Sequence, residues 1–298
     1  MNQQADRSVF KSLRRTLTPH RLSVGVGLLL LPYCLFSRFT TVVDSVVNGY
    51  PSVLLLAVAL GLSILWGQRR PLAALRASAE DRMLGGLLIF STAAILPICQ
   101  SSIWAQNLLG LLLLLGIACS CWGMSFFSKY ALPAFLITLG LVHQPGILAK
   151  TLWQALTPPQ FLERLMAWAG TMALNLIGQP ATVQGTLITL PKGAVEVEWG
   201  CNGFFMAQTM AIASLVLGIW LHQSRSKILI MMILGSVLAL IFNIPRIMLV
   251  TVAAVYWGKD WFRFWHGFWG GQIFVAFLFT VYYYGIMAVV KRSHQRVY

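Results

Sequence analysis

Long apolar runs separated by short polar segments dominate the chain. Each run holds about 16–22 residues, the length that an α-helix needs to cross a hydrocarbon core of roughly 30 Å. The pattern predicts eight membrane-spanning helices, at about 22–37, 50–66, 83–100, 104–122, 126–142, 201–221, 227–245 and 267–290. Lys129 and Pro133 interrupt the fifth run, and losing that span would change the parity of the count. The predicted fold class is an all-α polytopic membrane protein.

A long segment, 143–200, separates the fifth and sixth runs. Its part 161–178 is apolar apart from three polar or charged residues, Glu163, Arg164 and Asn175. This composition predicts a helix that lies in the membrane interface, and a ninth span is the alternative. Pro158 and Pro159 suit the start of such a helix.

The end of the same segment alternates in polarity. Apolar side chains or threonine recur at every second position, at Leu187, Thr189, Val195, Val197 and Trp199. Glu196 and Glu198 lie between them, and Pro191-Lys192-Gly193 supplies a turn. The pattern predicts a β-hairpin that leads into the next membrane helix. Because no repeat or low-complexity linker is present, we expect a single integral membrane domain over 1–298, with catalytic helices in 201–290.

Composition strengthens the membrane interpretation. Of the 298 residues, 58% are hydrophobic and 10% charged, whereas soluble domains carry about 25% charged residues. A net charge of +14 would suit nucleic acid, but the basic residues border apolar runs instead of forming a stripe with interleaved aromatics. Cytoplasmic loops and anionic membrane lipid account for them better, so nucleic acid is not an expected partner.

The distribution of Lys and Arg predicts the orientation of the chain. Fifteen of the 22 basic residues fall in segments that are cytoplasmic if both termini are: Arg7, Lys11, Arg14, Arg15, Arg21, Arg69, Arg70, Arg76, Arg82, Lys129, Arg225, Lys227, Lys291, Arg292 and Arg296. We therefore expect a multi-pass protein of the cell membrane, with 1–21 and the C-terminus in the cytoplasm and 143–200 outside. No small-residue processing site follows the first run, so it is expected to be a retained span.

The five cysteines do not form a metal-ligand pattern. No pair of CxxC motifs and no CxxC followed by HxxxH occurs, so no structural metal is expected. Four of the cysteines lie in apolar runs and are interpreted as packed or lipid-facing thiols: Cys34, Cys99, Cys119 and Cys121.

The fifth cysteine, Cys201, lies in the motif EWGCNGF at 198–204. It stands where the predicted hairpin meets a membrane helix that runs from outside to inside. The positive end of the helix dipole and free backbone N–H groups would lower the pKa of a thiol there. Gly200 and Gly203 would let another backbone approach. The alternative is a buried small residue at a helix start.

Arg246 lies in an otherwise uncharged apolar run. A buried arginine at this depth faces the protein interior or a wet cavity, and Pro245 predicts a kink beside it. Twenty residues at 1.5 Å each place it near the outer membrane surface. Snorkelling to lipid headgroups is therefore the competing interpretation.

His266 lies in DWFRFWHGFWGG at 260–271, an aromatic-rich segment that opens the last predicted span. Alone, such a histidine is more often interfacial or packed than catalytic. His20, His222 and His294 occur among basic cytoplasmic residues, and His143 has no nucleophile near it in the sequence.

The predicted topology brings Cys201, Arg246 and His266 to one external membrane face. Together they supply a nucleophile, a base that titrates near neutral pH and a permanent cation. Acyl transfer needs this set of groups.

These motifs resemble the exosortase/archaeosortase family of membrane transpeptidases. The resemblance covers about 155–290 and rests on three motifs in order: Gly200-Cys201-Asn202-Gly203, Asn243-Ile244-Pro245-Arg246, and His266 followed by Gly267, Gly270 and Gly271. Asn202 replaces the serine usual after the cysteine, as in the cyanobacterial branch, the cyanoexosortases. Asn still offers a hydrogen-bond donor.

The resemblance implies a function. Such enzymes cleave a short Pro-Glu-Pro-type C-terminal signal (PEP-CTERM) on exported proteins, and an acyl-thioester on Cys201 would be the intermediate. His266 would act as general base and then acid, and Arg246 would stabilise the oxyanion or the thiolate. No cofactor is expected, and partners would include such substrates and the exopolysaccharide machinery. The alternative function is a non-catalytic transporter or exopolysaccharide-assembly component.

Overall fold

The computed structural model describes residues 19–47, 53–142 and 145–294, and the chain separates into two compact units, 1–145 and 146–298. His143, Arg296 and the basic residues before position 16 lie outside the described residues. The prediction of one domain remains a prediction.

The described part of the first unit contains helices joined by turns and no strand. Its helices are α1 (Pro19–Val47), α2 (Val53–Gly67), α3 (Arg69–Ala73), α4 (Ala79–Ile95), α5 (Ile103–Trp122), α6 (Ser125–Lys129) and α7 (Ala131–Leu141). Helices α1, α4 and α5 pack together around Cys34, Ile89, Leu109 and Leu113. Cys34 and Cys119 are buried, as expected for packed thiols.

The predicted fifth span is broken in two. The chain leaves helical geometry at Tyr130, between α6 and α7. Pro133 has no backbone N–H to donate to the carbonyl of Lys129, so a continuous helix would lose a hydrogen bond there. The helix restarts instead with Pro133 in its first turn, where the missing donor costs nothing.

The second unit combines helices with a small sheet. Its elements are α8 (Pro145–Leu156), α9 (Phe161–Leu176), β1 (Thr182–Gln184), β2 (Leu187–Leu190), β3 (Gly193–Glu196), a 3₁₀ turn (Trp199–Cys201), α10 (Phe204–Trp220), α11 (Arg225–Val252), a π-helical turn (Ala253–Trp257), α12 (Lys259–His266) and α13 (Phe268–His294). The predicted helix at 161–178 is confirmed as α9. Helix α8 was not predicted.

The predicted hairpin is confirmed and belongs to a three-stranded antiparallel sheet of order β1-β2-β3. Ile188 pairs with Val195, and the buried positions of β2 are Ile188 and Leu190 instead of Leu187 and Thr189. The sheet packs against α9 and α11, and the shared core includes Leu174 and Ile247.

Helix α11 connects two regions of this unit. Met231 and Ala239 belong to a core with α10 and α13, whereas Ile247 packs with α9 and the sheet. The helix continues through Pro245, although the predicted span ended there. With the π-helical turn it forms an apolar helical stretch of 33 residues, about 50 Å long and well beyond the roughly 30 Å of a hydrocarbon core.

The membrane-spanning character of the fold is clear, but the number of spans stays a prediction. By length and composition, four helical stretches of the described residues could cross a membrane, namely 19–36, 104–122, 225–257 and 268–287. The apolar helices α2 and α10 are shorter. The eight predicted spans therefore remain an expectation, as does the interfacial position of α9.

Candidate active site

The three candidate residues come from three separate elements of the second unit. Cys201 ends the 3₁₀ turn after the sheet, Arg246 lies in α11, and His266 ends α12. All three line one pocket of about 250 Å³. The structure therefore brings together the residues that the sequence placed at one membrane face.

Cys201 and His266 are in direct contact. The Cys201 Sγ lies 3.1 Å from the His266 Nε2, across 65 residues of sequence. The ring of His266 stacks on Phe262, one helical turn earlier, with centroids 5.1 Å apart and planes 20° apart. Within the described residues, no carboxylate oxygen lies within 4.0 Å of a ring nitrogen of His266. The arrangement is a dyad whose imidazole is positioned by an aromatic ring.

Asn243 links the nucleophile to the arginine. Its Nδ2 donates to the backbone carbonyl of Cys201 at 2.9 Å, and its Oδ1 accepts from the Nη1 of Arg246 at 3.4 Å. The side chain is fully buried. Since Asn243 and Arg246 are three residues apart on α11, they lie on one face of the helix. The buried side chain of Asn243 therefore holds the Cys201 turn against α11.

Arg246 is half-buried and makes no ion pair within the described residues. Its Nε is buried without a hydrogen-bond partner. A guanidinium presents five donors, and one is used on Asn243. Donors therefore remain for an oxygen atom bound in the pocket. Sequence reasoning left interior and snorkelling positions open, and the side chain lies in the pocket wall.

The supporting residues next to Cys201 have different roles from those expected. Gly203 has φ +82°, and a Cβ there would stand 3.0 Å from the Cγ of Asn243. The close neighbour is thus a side chain and not another backbone. Gly200 meets nothing within 4 Å, so the expected close approach is absent at that position. Buried Asn202 accepts the backbone N–H of Phe204 through Oδ1 at 2.9 Å.

The expected lowering of the Cys201 pKa is wrong. Burial raises the pKa of this thiol above its ordinary value; Arg246 lowers it, and Glu198 raises it further. Helix α10 begins at Phe204 instead of Cys201, and its first N–H is bonded to Asn202. Helix-terminal donors therefore do not compensate for the burial of the sulfur.

The pKa of His266 moves in the opposite direction. Partial burial and the Arg246 charge lower it, while Glu198 raises it. A raised thiol pKa and a lowered imidazole pKa together favour the neutral pair. In that neutral pair the S–H of Cys201 donates to the unprotonated Nε2 of His266.

Sequence reasoning missed three residues of this pocket: Glu198, Thr251 and Phe262. Glu198 was noted as a polar position of the hairpin and as the start of the motif around Cys201, but not as a charge that acts on both members of the dyad. Phe262 could have been found, since it precedes His266 by four residues and thus shares its helix face. Thr251 carried no signal, because the predicted span ended before it. No group of His, Cys, Asp and Glu in the described residues forms a metal site.

The comparisons with known proteins give one match. Residues 46–283 match the family model described as Transmembrane exosortase (Exosortase_EpsH). No curated protein and no solved structure matches the chain. The matched region includes every residue of the pocket described above. The cyanobacterial branch is not distinguished by this match and remains a prediction. Because the family model covers most of the chain, the protein belongs to the transmembrane exosortase family.

Proposed function

We propose that the protein is a cysteine transpeptidase that cleaves the C-terminal PEP-CTERM-type signal of exported proteins through an acyl-thioester on Cys201. Membership of the transmembrane exosortase family implies a membrane transpeptidase with a sorting function and membrane-anchored protein substrates. The single observation that supports this chemistry best is the 3.1 Å contact between the Cys201 sulfur and the His266 imidazole.

The first step is attack of the Cys201 sulfur on the scissile carbonyl. His266 Nε2 accepts the thiol proton as the C–S bond forms, and the carbonyl oxygen becomes an oxyanion. Arg246 is the cation in the pocket wall that stabilises this charge, and its buried Nε has no hydrogen-bond partner among the described residues. An arginine that donates its proton is disfavoured, because the guanidinium stays charged in proteins.

The second step releases the C-terminal fragment. Protonated His266 gives its proton to the leaving amine as the C–N bond breaks, and an acyl-thioester remains on Cys201. An incoming amine or water then attacks the thioester. His266 takes a proton from this nucleophile, and the sulfur leaves as Cys201 thiol. Every proton is thereby returned, so the cycle requires no cofactor.

The same proposal predicts that the pocket faces the outside of the membrane. A reporter fused after Lys192 should score external and one fused at Ser226 cytoplasmic, because a sorting enzyme for exported proteins needs its pocket outside. The reverse result would separate the pocket from such substrates. Partners would then be membrane-anchored proteins with these signals, together with the exopolysaccharide machinery.

Co-expression with a tagged substrate tests the function. Cys201→Ala should abolish cleavage because it removes the sulfur, and Cys201→Ser should be nearly inactive because a hydroxyl is harder to deprotonate. Cys121→Ala is the matched control, since this cysteine lies in α5. If Cys201→Ala processes the substrate at the wild-type rate, the proposal is wrong.

A further inference from the structure

A second cavity of about 250 Å³ lies beside the Cys201 turn. It is lined by residues of α8, the loop after it, the start of α9, and the 3₁₀ turn. Three aromatic side chains contribute to its wall, namely Trp153, Phe161 and Trp199. Trp199 precedes Cys201 by two residues, so their Cα atoms are at most about 7.6 Å apart.

One buried carboxylate lines this cavity. Glu163, in the first turn of α9, is only 7% exposed. It makes no ion pair and no hydrogen bond within the described residues. Neither carboxylate oxygen of Glu163 is enclosed by protein, so the charge faces the cavity, and a carboxylate between aromatic walls favours a cationic ligand.

The aromatic wall also suits a cation. The ammonium of Lys150 lies 4.9 Å from the centroid of the Trp199 ring, so this ring already accepts an ammonium group. Lys150 is not part of the cavity wall and makes no ion pair with Glu163. The indole N–H of Trp199 is buried and has no hydrogen-bond partner in the part of the chain that the structure describes. It remains available to an oxygen atom next to a bound cation.

We propose that this cavity binds the primary ammonium group of the acyl acceptor, with Glu163 as its counter-ion and Trp153, Phe161 and Trp199 as its aromatic walls. The role as acceptor site rests on the proposed transpeptidase function, whereas ammonium binding itself does not. The acceptor would be recruited next to the turn that carries the thioester, and its ammonium group would release one proton to solvent to become the neutral amine that attacks. Two sources share this chemistry, a soluble amine and an aminolipid headgroup.

Binding is measured on the full chain in phosphatidylglycerol nanodiscs by ligand-observed NMR. The Cys201→Ala protein is used, so that no turnover contributes. The probe is n-butylammonium chloride, with n-butanol as the neutral control of similar shape. We expect the ammonium to bind and the alcohol to bind far more weakly. Equal binding of both probes, or no binding of either, would overturn the proposal.

Variants assign the binding to Glu163. Glu163→Gln keeps the shape and removes the charge, so it should weaken binding roughly 10- to 100-fold, as expected for losing a charged hydrogen-bond partner. Glu80→Gln is the matched control, because Glu80 is an exposed acid in the first turn of another helix, α4. Glu163→Asp should retain measurable affinity. It guards against a folding defect in Glu163→Gln.

Two further arms complete the test. Lys150→Met should tighten n-butylammonium binding, because a like charge near Trp199 is removed. Adding phosphatidylethanolamine to the nanodiscs should compete with n-butylammonium if the acceptor is an aminolipid, and should leave its affinity unchanged if the acceptor is soluble.

In active protein, Glu163→Gln should lower amide product while hydrolysis of the thioester continues. Unchanged n-butylammonium affinity in Glu163→Gln would refute the site even if Cys201 is the nucleophile.

Discussion

Replacing Asn243 with aspartate separates two roles of this buried amide. The substitution keeps the size of the side chain but removes the Nδ2 donor that holds the Cys201 carbonyl at 2.9 Å. An aspartate oxygen there would face the carbonyl oxygen and repel it. Towards Arg246 the same change is favourable, since a carboxylate would accept from the guanidinium more strongly than the amide does at 3.4 Å.

The magnitude follows from these contacts. Losing the donor leaves the part-buried carbonyl of Cys201 without its partner, which costs about 1–3 kcal/mol of the free energy of unfolding. The long contact to Arg246 exceeds the usual range for an N–H···O hydrogen bond and contributes little in the wild type. A Cys201 turn that moves by about 1 Å would slow the chemical step on the order of 100-fold. We therefore expect kcat to fall roughly 10- to 100-fold, with KM nearly unchanged.

The assay is steady-state cleavage of a sorting-signal peptide by purified protein, with thermal unfolding measured in parallel. Asn243→Ala should resemble Asn243→Asp, because both lack the donor to Cys201. The matched control is Asn175→Asp, since Asn175 bridges α9 to the backbone of Ala181 through both of its side-chain atoms. This control should lose stability without a specific loss of kcat. Near-wild-type kcat in Asn243→Asp would refute the positioning role and leave only a link to Arg246.

Three further predictions concern the charges around the dyad. His266→Ala should lower kcat by roughly two to four decades, the usual worth of general acid–base catalysis. The acid limb of the wild-type pH profile should lie below the ordinary pKa of a histidine, because burial and Arg246 lower the pKa of His266. This limb should vanish in His266→Ala, and its persistence would exclude His266 as the base. Glu198→Gln should move that acid limb to lower pH, because Glu198 raises the pKa of His266; an upward shift would contradict the assigned electrostatics. Arg246→Lys keeps the charge but loses the planar fork of donors, so it should cost about 3 kcal/mol of transition-state stabilisation in kcat/KM, whereas near-wild-type activity would remove Arg246 from the oxyanion role.

Local patterns predicted much of the second unit. Apolar composition predicted α9, and alternating polarity around a turn predicted the β2–β3 hairpin. In β2, however, the buried face carries Ile188 and Leu190 and not Leu187 and Thr189. Strand β1 (Thr182–Gln184) was not predicted, because three residues are too few to show alternation. Helix α11 was cut short at Pro245, because proline is expected to end or kink a helix, yet the structure continues the helix to Val252.

The sequence predicted which three residues share the candidate site, but not how the site shifts their pKa values. Membrane topology and the order of motifs brought Cys201, Arg246 and His266 together, and the structure places them in one pocket. The direction of the Cys201 pKa was wrong, because burial of the sulfur and the bond from Phe204 to Asn202 depend on packing that no linear motif records. Glu198 lies three residues before Cys201 in the sequence, but its effect on His266 depends on the fold that brings His266 to Cys201.

The acyl-thioester is the central claim, and its direct detection is the most decisive measurement. Wild-type protein would be acid-quenched during turnover of a sorting-signal peptide and analysed by intact-mass and peptide-level mass spectrometry. The account predicts an added mass equal to the N-terminal cleavage fragment, carried by Cys201 and removed by hydroxylamine, with the same adduct in Cys121→Ala. An adduct on another residue, or cleavage by Cys201→Ala without any adduct, would contradict it.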